Sequence, residues 1–122
     1  KLTEMNYQGI VVDTSNGIIT NNIDESSTNE HIDTSGDPHI WLNPVFAKIQ
    51  VQNIADAFSK SDPENEKYYK ENASNYIVEL DLLDLKIRKD LSNCNHDFIA
   101  FHKAFSYFSK IVTWQLPTSI NQ

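Results

Sequence analysis

Four histidines are the side chains of this sequence best suited to chemistry: His31, His39, His96 and His102. No two of them are four residues apart on a helix, so a local two-histidine metal site is absent. A metal site has to be assembled across the fold. His39 lies in Asp37-Pro38-His39-Ile40-Trp41-Leu42-Asn43-Pro44, where two prolines narrow the backbone on either side. A ligand that must be held ready for an ion needs such rigidity. The same segment also reads as a plain turn entering a helix, with His39 filling a polar gap. His102 follows the apolar run Phe98-Ile99-Ala100-Phe101, and in parallel α/β sheets ligands bind beyond the carboxyl ends of strands. Its other reading is a satisfied histidine near the surface. Neutral imidazole is the commonest biological ligand for zinc, and two imidazoles leave two positions of a tetrahedral ion to fill.

Composition sets the surroundings. The 122 residues suit one domain, and 39% apolar with 22% charged residues is enough for a packed core. A net charge of −7 repels nucleic-acid phosphates and anionic lipid, so a cation is the more natural partner. The single cysteine, Cys94, permits neither an internal disulfide nor a cysteine-based zinc knuckle. There is no signal-like apolar region, no run of the ~20 residues a membrane span needs, and no glycine-rich nucleotide motif.

Start and stop signals place the elements. Ile10-Val11-Val12 reads as a short buried strand before the turn Asp13–Gly17, and Ile18-Ile19 as a second extended piece. Residues 21–37 are polar, acidic and aperiodic, a surface loop. Asn43-Pro44 starts a helix that runs to about Lys60, with Ala47, Val51, Ile54, Ala55 and Phe58 on one face. Ser61 or Asp62 with Pro63 starts another. Its stripe Tyr69, Ala73, Tyr76, Leu80, Leu83, Ile87, Leu91 carries it to Leu91, about 43 Å at ~1.5 Å per residue. Periodicity alone favours a bundle helix over a spine joining two lobes. Ser92–Asn95 breaks it, Phe98–Phe101 reads as a buried strand, and Lys103–Lys110 as a helix with Ala104, Phe105 and Phe108 on one face. The order suggests α/β with parallel strands. Two strands alone are not stable, so the chain reads as a piece of something larger.

The eight residues Asp37–Pro44 resemble the signature of the zinc/manganese solute-binding proteins of ABC importers. Phe101-His102-Lys103-Ala104-Phe105-Ser106-Tyr107-Phe108 resembles that family's His-x-Ala-Phe-x-Tyr-Phe segment, which opens the second lobe. The likeness runs from about Gly9 to Lys110. It implies an α/β fold of two lobes, short parallel strands, and a long helix between the lobes. Residues 1–60 then end the first lobe, 61–91 form the linking helix, and 92–122 begin the second lobe. It also implies that His39 and His102 are metal ligands facing one cleft, with the earliest ligand before residue 1 and the last after residue 122. Manganese-type relatives usually have Glu where His102 stands, so zinc is expected and manganese is the second choice. Zinc-type relatives often carry a loop rich in histidine and acid here, where this sequence has Asp24, Glu25, Glu30, His31 and Asp33. One histidine makes a poor zinc store. Ile111–Pro117 lacks the family's Tyr-Gly-like turn, which leaves the tail divergent or truncated.

The function implied is extracytoplasmic: binding a metal ion and delivering it to an ABC importer permease in the membrane, without catalysis. Its rival is a surface adhesin or metal-buffering protein on the same fold. A metallohydrolase needs an open coordination position and a general base beside the metal, and near these histidines only Asp37 and Asp97 offer one.

Overall fold

The computed structural model describes residues 9–18, 37–94, 99, 101–102 and 104–113. Its centre is a hairpin of two helices, α1 over Pro44–Ser61 and α2 over Glu66–Leu91, followed by a short α3 over Ser106–Thr113. Single 3₁₀ turns, Ile40–Leu42 and Pro63–Asn65, lead into α1 and α2.

Local chemistry sets the helix ends. Asn43 has extended backbone, and its Oδ1 accepts from the Val45 N–H at 2.9 Å, while Pro44 takes the first helical position. At the other end of α1 the Asp62 N–H donates to the Phe58 carbonyl at 2.8 Å. The Asp62 carboxylate then accepts from Asn65 Nδ2 at 2.8 Å and from the Tyr69 hydroxyl at 2.7 Å. Those two bonds turn the chain sharply enough that α2 runs back along α1. The expected long helix therefore ends at Leu91, but its first turn, Pro63–Asn65, is 3₁₀. At ~1.5 Å per residue the 26 residues of α2 span about 39 Å.

Phe58 stacks on Tyr69 with ring centroids 5.3 Å apart near the turn, and Lys48 pairs with Asp81 near the other end of α1. Between them Ala55 and Ala73 are buried, and small side chains there let the helices approach closely. Much of the apolar stripe of α2 stays open. Ala73 and Leu80 are buried, but Tyr76 and Leu83 are exposed, as are Ile54 and Phe58 on α1. α2 carries four ion pairs one turn apart, Glu66 with Lys70, Lys67 with Glu71 and Lys86 with Asp90 in solvent, and Arg88 with Asp84 half-buried.

The turn at 13–17 is as expected. The Asp13 carboxylate accepts from both the N–H and the hydroxyl of Ser15, and Gly17 has φ +84°, which favours glycine. α1 holds this turn through Asn53 Nδ2, which donates to the carbonyls of Thr14 and Asn16, each at 2.9 Å.

Three expectations differ. No strand forms among the described residues. Ile10, Val11 and Val12 are exposed, and Ile99 and Phe101 are fully so. A strand is completed by a neighbour's N–H and C=O groups, and no described segment offers them. Phe98 and Ala100 lie outside the described residues, as do Ile19 and residues 21–36 of the acidic loop. The last helix starts at Ser106 rather than Lys103, because the Ala104 N–H turns back to the His102 carbonyl at 2.8 Å. Its inward positions are Tyr107 and Ile111, one helical turn apart, with Ala104 ahead of them, while Phe105 is exposed. Tyr107 packs edge-on to Phe46 of α1 at 5.3 Å, and Arg88 of α2 donates from Nη1 to the Ile111 carbonyl at 3.5 Å. The α3 helix is thus tied to both helices of the hairpin. No described helix is long and apolar enough to cross a membrane.

Candidate metal centre

His39 stands between Pro38 and the 3₁₀ turn Ile40–Leu42. The Ile40 N–H donates to the Pro38 carbonyl at 2.9 Å, and the Asn43 N–H to the Ile40 carbonyl at 3.1 Å. This tight path into α1 fixes the His39 backbone. Asp37 fixes the ring. Its Oδ1 accepts from the His39 N–H at 3.0 Å and lies 2.6 Å from His39 Nδ1. An ionised carboxylate can only accept, so Nδ1 carries a proton, and Nε2 is the nitrogen that the neutral ring offers to a metal. Burial of Asp37 pushes its carboxyl pKa up. The nearby Ser106 hydroxyl and the bonds from the His39 backbone and ring outweigh that and hold it below the ordinary 3.8. The group is therefore ionised at neutral pH, as its acceptor role requires.

The free side of His39 meets His102. The two Nε2 atoms are 3.1 Å apart, and the rings are nearly perpendicular, 87°, with centroids 4.8 Å apart. Ligand nitrogens ~2.0–2.1 Å from a tetrahedral zinc ion lie about 3.3 Å from each other. The observed gap is within a few tenths of an ångström of that figure. Sixty-three residues separate the pair, and the structure brings them together. His102 is exposed, and Trp41, also exposed, stands edge-on to His39 at 5.4 Å. His31, His96 and Asp97 lie outside the described residues. Among the described residues no group of three or more His, Cys, Asp or Glu side chains converges as a metal site.

Two contributors are not evident from the sequence. Asp37 stands in the Asp37–Pro44 motif and as a general-base candidate, with no role assigned toward His39, although an Asp two residues ahead of a His is placed for a turn that bonds back to its N–H. Tyr107 entered only as part of a motif. It is 2% exposed, and its hydroxyl donates to the Asp37 carbonyl at 2.9 Å across seventy residues of sequence.

The model of the family described as "ZnuA: Zinc-uptake complex component A periplasmic" matches residues 1–116. The chain belongs to the ZnuA family. It is 41% identical over 75 residues to the high-affinity zinc uptake system protein ZnuA of Bacillus subtilis, covering 61% of this chain and 24% of that protein. To a putative metal-binding protein of Chlamydia trachomatis it is 40% identical over 77 residues, covering 62% and 28%. A zinc-bound deletion mutant of ZnuA superposes with a TM-score of 0.80 at 27% identity, over 92% of this chain and 41% of that one. A zinc-bound variant of AdcAII of Streptococcus pneumoniae gives 0.73 at 30% identity, over 84% and 38%. The chain thus spans about a quarter of the length of these curated relatives.

Proposed function

We propose that this chain supplies two ligands, His39 Nε2 and His102 Nε2, to a zinc site in an extracytoplasmic solute-binding protein of the ZnuA family. The ion is cargo, handed on to an ABC importer permease. One observation carries the reading: two imidazole nitrogens 3.1 Å apart, one of them turned by a buried carboxylate so that its lone pair faces the other. Imidazole favours zinc over manganese, which prefers carboxylate oxygen, and relatives named for zinc uptake support the same choice.

In this reading residues 1–60 end the first lobe, Pro63–Leu91 links the lobes, and 92–122 open the second. The segments around Ile10–Val12 and Phe98–Phe101 become short parallel strands where neighbouring strands of each lobe pair with them. The remaining positions on the ion are filled by groups outside the described residues. The site carries rather than catalyses: among the described residues Asp37 is the carboxylate in contact with the pair, and its Oδ1 is bonded to the His39 N–H and ring rather than turned to a metal-bound water.

The test is a zinc competition titration of the intact protein with His39→Ala and His102→Ala. Changes one shell out from a metal cost about 10–100-fold in affinity, so loss of a direct ligand should cost at least about a hundredfold. Wild-type affinity in either variant would remove that residue from the site.

A further inference from the structure

The two histidines belong to segments far apart in sequence, and something other than an ion holds them in register. His39 is anchored to Asp37, and Asp37 is anchored by its carbonyl to the Tyr107 hydroxyl at 2.9 Å. The return bond runs from Asn43 Nδ2 to the Tyr107 carbonyl at 3.3 Å. One residue of α3 therefore both donates to and accepts from the segment that bears His39, on either side of that histidine. The Tyr107 ring closes the contact against Phe46, and nothing of it reaches solvent beyond 2%. His102 lies five residues ahead of Tyr107, tied to the start of α3 by the turn from the Ala104 N–H to its own carbonyl.

We propose that Tyr107 is a positioning residue, a two-way latch whose hydroxyl and carbonyl hold the His102 segment against Asp37–Asn43 so that the histidine pair is formed before any metal arrives. This rests on the metal-site reading above and deepens it. Preorganisation of this kind raises affinity because the cost of ordering the ligands falls on folding rather than on binding. Tyr107 touches no ligand nitrogen, so its effect must pass through the distance between His39 and His102.

That route makes the latch separable from ordinary packing by a double-mutant cycle on the intact protein, read by zinc competition titration. Tyr107→Phe keeps the ring against Phe46 and removes only the hydroxyl. One hydrogen bond lost should weaken zinc about fivefold. In a His102→Ala background there is no second imidazole to position, and Tyr107→Phe should then change nothing. Asn43→Ser, which retains a capping oxygen for α1 but lacks the amide donor, should follow the same pattern. An equal loss with and without His102 would make Tyr107 merely structural and overturn the proposal, as would no loss in the wild-type background. If His102→Ala alone leaves zinc affinity unchanged, the metal-site reading falls and the latch with it. Far-UV circular dichroism melting of each variant confirms that the titrated protein is folded.

Discussion

Asp37 is the side chain whose replacement probes the histidine pair most cleanly, because it touches one ligand ring and no solvent path. Its Oδ1 accepts two hydrogen bonds from His39, one from the N–H at 3.0 Å and one at the ring at 2.6 Å. Asp37→Asn keeps the volume, leaves the carbonyl that Tyr107 uses, and can still present an oxygen to both donors. It removes the charge. Hydrogen bonds to charged groups contribute about 1.5–3 kcal/mol against about 0.5–1.5 kcal/mol for neutral ones, a difference near 1–1.5 kcal/mol. At 1.36 kcal/mol per decade, zinc affinity should fall about five- to tenfold. Asp37→Ala removes the acceptor altogether. His39 is then free to place its proton on Nε2, where the metal should be, and the fall should approach the upper end of the ~10–100-fold range for such partners. The assay is competition with a zinc-binding dye at neutral pH, with thermal melting of the metal-free protein alongside. The graded order, wild type above Asn above Ala, is the signature of ring orientation by charge. Two variants within twofold of wild type would refute it.

With His39 and His102 as the proposed ligands and no cluster of three among the described residues, this chain by itself should bind zinc weakly, and tight one-to-one binding by dye titration would mean that a further ligand, such as His31 or His96, completes a site. Ala73 is 7% exposed where α1 and α2 approach, so Ala73→Leu should overpack that seam and destabilise the fold by about 1–3 kcal/mol in urea unfolding, without moving the histidines. Hydrogen bonds from Asn65 and Tyr69 hold Asp62 below the ordinary 3.8, so its contribution to stability is present above about pH 4 and is lost as the pH falls through the lower native value. The stability gap between wild type and Asp62→Asn, read from urea midpoints, should therefore close on acidification, and a gap that does not change with pH would contradict this.

What the sequence revealed and what it concealed divide by the range of the interaction. Asn43-Pro44 announces α1 because the cap bond reaches only to Val45, and Pro63 with Asp62 announces the turn into α2 because its partners, Asn65 and Tyr69, are three and seven residues away. The end at Leu91 is local in the same way. Ile10–Val12 and Phe98–Phe101 carry strand composition, yet pairing is decided by a neighbour that composition does not name. Which face of α3 turns inward is decided at a distance for a related reason. Phe105 and Phe108 are as apolar as Tyr107 and Ile111, and the choice between them is made by Phe46 and the Asp37 carbonyl, about sixty and seventy residues away in sequence.

The candidate site is split along the same line. Two histidines 63 residues apart have no periodicity to connect them, and their pairing was legible only through resemblance to a family. Asp37 was within reach of local reasoning, because a carboxylate two residues before a histidine can close a turn and hold the ring at once. Tyr107 was not, because a hydroxyl bonded to a backbone carbonyl leaves no trace in the identity of the residue that owns the carbonyl: any side chain at position 37 would present the same oxygen. Substitution at Asp37 therefore tests the carboxylate and leaves the latch in place, while substitution at Tyr107 releases the latch and leaves the carboxylate. The two act on different coordinates, the rotation of one ring and the separation of two. They are nonetheless joined by the hydrogen bond from the Tyr107 hydroxyl to the Asp37 carbonyl, so their effects on zinc affinity should couple rather than add when the variants are combined, and simple additivity would show that the ring's rotation and the segments' separation are independent.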